Sequence, residues 1–318
     1  MFRKAKPFFI YTETPTHVGS GSELGYVDLP IQREKHSNFP KIEASGLKGS
    51  FRSVFNSDSK LKDKVKYIFG PENGDDHAGG LGFLDGRILL FPIKSVKGIF
   101  GWVTCPYVIS RFKEEMSLCE GVNLEELDGI ETIKPYSIVE NSNLKLKDNN
   151  VVILEEYSFK VQKDDKLKKF SEWLSDIIFP KLQNSSGDVY RIFREKMQKD
   201  IVVLSDDDFR DFTDMSTEVI TRTKINAKNG TVEDGALFNE EYIPENTVFY
   251  SLALASALFV DEKEKESIKE IDKTDEDFIL DYFFRGIEKY DIIQIGGNAT
   301  IGKGIVRIVT PEGGNDNA

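Results

Sequence analysis

Between residues 14 and 55 the chain reads TPTHVGSGSELGYVDLPIQREKHSNFPKIEASGLKGSFRSVF, a stretch dense in groups able to act on a charged ligand. One acid, Asp28, sits in a loop flanked by Tyr26, Val27, Leu29 and Pro30, and His17 precedes the turn Gly19, Ser20, Gly21. Arg33, Lys35 and His36 follow the acid, and beyond Pro40 a helical pattern carries Lys48 and Arg52. Four residues apart, these two cations project from one face of a helix. A loop with one acid and several donors, running into a helix start with two cations, suits a phosphodiester backbone better than a neutral metabolite. Each group also has a plainer role. A lone loop acid often forms a turn or is simply solvated, a histidine there is more often a hydrogen-bonded structural group, and Lys48 with Arg52 fits the wet face of an amphipathic helix. Gly46 and Gly49 around Lys48 would let a phosphate backbone come close.

Further groups lie toward the C-terminus. Arg222, Lys224 and Asn226 alternate with apolar neighbours, which places them on one side of a strand. Gly296, Gly297, Gly302 and Gly304 with Lys303 resemble a nucleotide loop only superficially, because GGNATIGKG lacks the Walker order and reads as strand, turn, strand. Asp206, Asp207 and Asp208 follow Ser205 at a helix start, where consecutive acids diverge and complement the helix dipole, so capping outweighs a metal cluster. Cys105 and Cys119 flank a helical segment and read as reduced thiols rather than a metal clip. His36 and His77 receive no role.

Positioning these groups needs a sizeable scaffold, and 318 residues suffice for one large domain or two modest ones. Strands are expected at 6–14, 88–93, 98–104, 151–161, 201–204, 218–226 and 247–255. Helices are expected at 47–55 behind a cap at Ser45, at 106–119, 167–179 and 189–197, and at 278–289. Asn229 and Gly230 form a hairpin turn signal. Residues 70–87 read as a mobile loop, 120–150 as an insertion or linker, and 311–318 as a disordered tail. The interleaving implies an α+β fold elaborated by insertions, with no repeat of fixed period. The net charge of −12 argues against coating nucleic acid through a bulk field, so any RNA or DNA site must be a local basic patch. No apolar run is long enough to span a bilayer, and a cytoplasmic location is expected.

Three blocks carry a family resemblance: the opening stretch quoted above, TEVITRTKINAKNGTVEDGALFNEEYIP in the middle, and QIGGNATIGKGIVRI at the end. Together they resemble the backbone subunits of type III-B CRISPR effectors, the RAMP proteins that build Cmr complexes. The likeness covers nearly the full chain. It implies a single palm domain over residues 1–318 with a ferredoxin-like, RRM-related fold, modified by insertions and a protruding β-hairpin thumb near 215–250. Copies of such subunits stack into a helical filament on a guide RNA, beside other Cmr subunits, and cleave complementary single-stranded target RNA at regular intervals. The implied cleavage residue is Asp28. The implied RNA contacts are His17, Lys48, Arg52, Arg222, Lys224, Asn226, Gly296, Gly297 and Lys303. Chemically, one carboxylate can bind a divalent ion or help activate an RNA 2′-hydroxyl, whose attack gives a cyclic phosphate. No second acid with metal-site spacing lies near Asp28, so the implied Mg or Mn would be weakly held, with RNA phosphates as most of its ligands and no protein metal cage. No organic cofactor is expected. The competing readings are a non-catalytic RNA-binding backbone subunit and a free-standing nuclease that trims guide precursors.

Overall fold

Apolar runs such as those at 4–12 and 248–255 need burial on both faces, because they do not alternate with polar residues. The computed structural model, which describes residues 2–22, 25–72, 77–146, 150–181, 183–184, 187–226, 228, 230–268 and 272–311, meets that need with a mixed sheet between two helical layers. The elements that matter to the site are β1 (Lys4–Thr12), α1 (Ala44–Ser57), β2 (Gly86–Lys94), β3 (Phe100–Thr104), α2 (Pro106–Met116), α3 (Asp165–Ile178), β4 (Ile201–Val203), α4 (Asp206–Met215), β5 (Glu218–Ile225), β6 (Val232–Tyr242), β7 (Val248–Ala255), α5 (Asp275–Lys289), β8 (Ile292–Gln294) and β9 (Ile305–Val309).

The sheet runs in the order β8, β9, β1, β7, β2, β3, β4, and two-residue strands at Ser137–Ile138 and Gln162–Lys163 extend it. Neighbours from β8 to β3 are antiparallel, and β3 with β4 is parallel. Successive residues of β1 point to opposite faces, and the aromatic contacts show the result. Phe8 packs against Phe51 of α1 and Phe283 of α5, with ring centroids 5.6 and 5.8 Å apart. Phe9 meets Phe112 of α2 and Trp173 of α3 at 6.1 and 6.2 Å. Fully buried phenylalanines of this kind each contribute about 2–3 kcal/mol, and much of the chain's aromatic content is spent here rather than on a ligand. Gly286 lets α5 approach α1, since a Cβ there would lie 2.1 Å from the Phe55 ring.

The hairpin of β5 and β6 is a sheet of its own. Its register pairs Glu218 with Tyr242 and Arg222 with Phe238, and slips between Thr223 and Ile225. Asn229 of the turn lies outside the described residues, while Gly230 donates its N–H to the Asn226 carbonyl, 2.9 Å.

Several expectations need correction. Helix α1 is not capped by Ser45: it begins at Ala44, whose N–H donates to Asp85, 2.9 Å, and the Glu43 N–H donates to Gln32. A cap supplied from a distant loop leaves no local signal. Of the two readings of segment 120–150, insertion or linker, the linker does not hold, for Leu127, Ile130, Ile133, Ile138, Val139 and Leu144 are buried in the same core cluster. Within 70–87, Leu81–Phe83 is a strand paired with β7, and β2 has begun by Gly86; residues 73–76 lie outside the described residues. The tail beyond 311 also lies outside them.

Candidate nucleic-acid interface

The loop between β1 and α1 sinks Val18, Ile31, Phe39 and Ile42 into the core, but its stretch around Asp28 buries no described residue and is held by hydrogen bonds. Most of them come from β6 and from itself. Thr16 pairs with Ile243, the Leu29 N–H donates to the Asn239 carbonyl, and the Glu241 N–H donates to the Leu29 carbonyl, both 3.0 Å. Within the loop Gly19 pairs with Ile31, and Arg33 with Pro40. This extended docking fixes Asp28. Its side chain is exposed, and one oxygen accepts the Asn239 N–H at 2.8 Å. The other oxygen has no partner among the described residues, so it is available to a ligand.

Side chains on β6 alternate, and its two consecutive acids therefore serve opposite faces. Glu241, buried, accepts the Ile31 N–H at 3.0 Å, the Arg33 guanidinium at 2.6 Å and the Thr217 hydroxyl at 2.8 Å. Its carbonyl accepts Nδ1–H of His17 at 2.7 Å. Arg33 also donates to the carbonyls of Asn38 and Thr213. Deeper in, Glu34 and Arg111 form a buried pair at 2.7 Å that ties the loop to α2.

Glu240 faces the C-terminal glycine turn. It accepts from Arg222 at 2.7 Å, from the Tyr242 hydroxyl at 2.7 Å and from Asn298 at 3.0 Å. Burial alone raises its carboxyl, but the hydrogen bonds from Asn298 and Tyr242, with the charge of Arg222, hold it below the usual range. Burial and the same carboxylate push the Tyr242 hydroxyl up to about 12. Lys303 places its ammonium 5.1 Å from the centre of the Tyr242 ring, a cation–π arrangement.

His17 lies under this assembly rather than on it. Its ring is buried, 5.6 Å from Tyr242, and Gly19 rests against Nε2. Gly297 donates its N–H to the His17 carbonyl at 3.0 Å. Gly296, at φ +77°, passes so close that a Cβ there would lie 2.1 Å from that carbonyl oxygen. His17, Arg222, Gly296, Gly297 and Lys303 thus converge around Glu240 and Tyr242, and Asp28 hangs one residue away along β6.

The other expected contacts lie apart from that cluster. Lys48 is half-buried, its ammonium donates to the Leu81 carbonyl at 3.0 Å, and burial with nearby Arg52 lowers its pKa. Arg52 has no ion-pair partner among the described residues. Lys224 is exposed and pairs with Glu233 across the hairpin at 2.7 Å. Asn226 closes the turn, its side chain accepting the Lys228 N–H at 2.9 Å. The acids at 206–208 sit in the first turn of α4. Ser205 caps it, Asp206 accepts from the Tyr107 N–H, and Asp208 accepts from the Tyr136 hydroxyl. Among the described residues, no group of three or more His, Cys, Asp or Glu is placed to hold a metal ion, and no helix is long and apolar enough to cross a membrane.

Sequence reasoning missed Glu240, Glu241, Tyr242 and Asn298. The available signal was the tandem acid in NEEY at the base of a hairpin strand, where alternation forces two neighbouring carboxylates toward different partners.

Comparison with known proteins bears on all of this. A protein from Pyrococcus furiosus named CRISPR system Cmr endoribonuclease Cmr4 is 38% identical over 306 residues, 95% of this chain and 94% of its own. The crystal structure of oligomeric Cmr4 from the same organism superposes with a TM-score of 0.66 at 32% identity, covering 96% of this chain and 98% of the other. A cryo-EM structure of the type III-B Cmr-beta complex bound to cognate target RNA contains a chain of the same fold, with a TM-score of 0.70 at 22% identity and 98% of each chain covered. The model of the RAMP superfamily matches residues 9–307, and the chain belongs to that superfamily.

Proposed function

We propose that this chain is an endoribonuclease subunit of a type III-B Cmr effector, binding guide RNA along its backbone and cleaving complementary target RNA. The observation that carries this reading is the exposed Asp28 carboxylate on a loop docked to the hairpin, in a chain similar over almost its whole length to a protein named as a Cmr endoribonuclease. The palm is read as ferredoxin-like: β1, α1, β2, β7, α5 and β9 follow one another as β-α-β-β-α-β, and their strands lie in the order β9, β1, β7, β2. The β5–β6 hairpin is read as the thumb. Self-assembly into a filament with other Cmr subunits is supported by the oligomeric relative. A cytoplasmic site of action fits such a partner set.

In the proposed step, the free oxygen of Asp28 takes the proton of the RNA 2′-hydroxyl beside the scissile bond. The 2′-oxygen attacks the adjacent phosphorus, the bond to the 5′-oxygen breaks, and that oxygen takes a proton from water. The products are a 2′,3′-cyclic phosphate and a 5′-hydroxyl. Among the described residues one carboxylate and no group of three ligands lies there, so a divalent ion such as Mg or Mn would be held mostly by RNA phosphates, and the step above does not depend on it. Lys303, Arg222, Gly296 and Gly297 are proposed to line the RNA backbone beside it, with Arg52 as a phosphate contact on α1.

Asp28→Asn in the reconstituted assembly should lower target cleavage by about 10²–10⁴-fold while guide and target binding stay unchanged. Cleavage at the wild-type rate would remove Asp28 from the chemistry. Intact binding with no cleavage by the unsubstituted assembly, even with added divalent metal, would make the chain a non-catalytic scaffold.

A further inference from the structure

We infer that Glu241 is the positioning residue for target cleavage: it holds the Asp28 loop at a fixed place on the hairpin. The inference rests on the reading of Asp28 given above. The loop is anchored in the core at Val18, Ile31 and Phe39, but from Gly19 to Pro30 none of the described residues is buried, and a carboxylate that must meet one hydroxyl loses much of its effect when displaced by about 1 Å. Glu241 supplies what that stretch lacks. Its backbone N–H donates to the Leu29 carbonyl, the residue after Asp28. One side-chain oxygen accepts the Ile31 N–H, and the other accepts Arg33 and Thr217. Its carbonyl accepts His17 at the loop's entry. One buried residue thus grips the loop before Asp28, at its next neighbour and again at Ile31 and Arg33.

The grip also joins the loop to the hairpin. Glu241 lies in β6, two residues from Asn239, whose N–H holds the Asp28 carboxylate. Any shift of the hairpin base on RNA therefore carries Asp28 with it. Arg33 extends the clamp to α4 through the Thr213 carbonyl, so the loop is held between the hairpin and the palm. Glu240, next in the strand, faces the glycine turn and takes no part in this clamp.

The test is single-turnover cleavage by the reconstituted assembly at saturating target, with guide affinity, target affinity and melting temperature measured alongside. Glu241→Ala should slow cleavage by about 10²-fold with KM for target little changed, because position is lost and binding is not. Glu241→Gln keeps an acceptor for the Ile31 N–H and an NH2 that can donate to the Thr217 hydroxyl, but it turns a donor toward Arg33 and loses that contact, so it should recover part of that rate. Arg33→Ala also loses the Asn38 and Thr213 carbonyls, so it should slow cleavage at least as much as Glu241→Gln, and the double variant should be no slower than Arg33→Ala, since the contact removed by the glutamine is already lost there. Cleavage by Glu241→Ala within about twofold of wild type, beside an inactive Asp28→Asn, overturns this inference alone. Should Glu241→Ala fail to assemble, additive losses in Glu241→Gln and Arg33→Ala overturn it equally. Wild-type cleavage by Asp28→Asn overturns the cleavage assignment and this inference together.

Discussion

Lys48 and Arg52 show how far identity and spacing carry a residue. Both project from α1 as a four-residue spacing requires, yet their surroundings differ. The Lys48 ammonium is committed to the Leu81 carbonyl and half-buried, whereas Arg52 has no ion-pair partner among the described residues. Salt dependence separates them. Arg52→Ala should reduce the slope of log affinity against log salt for guide RNA by about one, and Lys48→Ala should change it by less. Equal slopes for the two variants would show that Lys48 leaves its carbonyl to meet phosphate. At this scale the sequence was legible for charge and face but silent on partners. Nothing near Lys48 announces a carbonyl more than thirty residues away, and nothing near Ala44 announces Asp85 as its cap.

Elements were the most legible level, because period and length decide them. The apolar run of β1 and the stripe of α3 announce themselves in composition, and the Asn-Gly pair signals a turn, but the hairpin's second strand, β6, was not expected because its acids and glycine hide the strand pattern. Segment 120–150 was illegible for the opposite reason: it contributes single buried side chains from short 3-10 turns, which have no period to detect. One contact between elements yields a pH test. Asp58 closes the C-terminus of α1 and receives the Lys289 ammonium at the end of α5, with the Lys60 N–H and the Tyr290 hydroxyl. The Lys289 hydrogen bond first, then the Lys60 amide, lowers its pKa from 3.8 to about 2. A carboxyl depressed on folding stabilises the fold above its unfolded pKa and loses that contribution as pH falls toward the folded one. Asp58→Asn should therefore lower the melting temperature near neutral pH, and the gap from wild type should close between about pH 4 and about pH 2. A gap that persists unchanged in acid would assign the loss to packing instead.

At the scale of the whole molecule, the chain divides into a densely buried sheet and an arm that pairs mainly with itself. Strands β1 and β7 are buried along most of their lengths, whereas β5 alternates and ends in exposed residues. Hydrogen exchange should follow that division, with amides of β1 and β7 opening only with global unfolding and those of β5 beyond Arg222 exchanging first. Uniform protection along the hairpin would mean that another part of the chain covers it. The net charge of −12 is compatible with a local RNA site because Arg222 and Lys303 sit at the arm's base on one face.

The adjacent acids at that base have a consequence for how the arm can change length. Glu240 latches one loop and Glu241 another, from opposite faces of one strand, so a single-residue insertion between Asn239 and Glu240 would exchange their partners. At the tip, the described Lys228 and Gly230 N–H groups both donate to Asn226, within the turn itself. Lineages and engineers alike have freedom to lengthen, label or graft the arm beyond Ile225 and before Val232, while its root is a frameshift-sensitive joint.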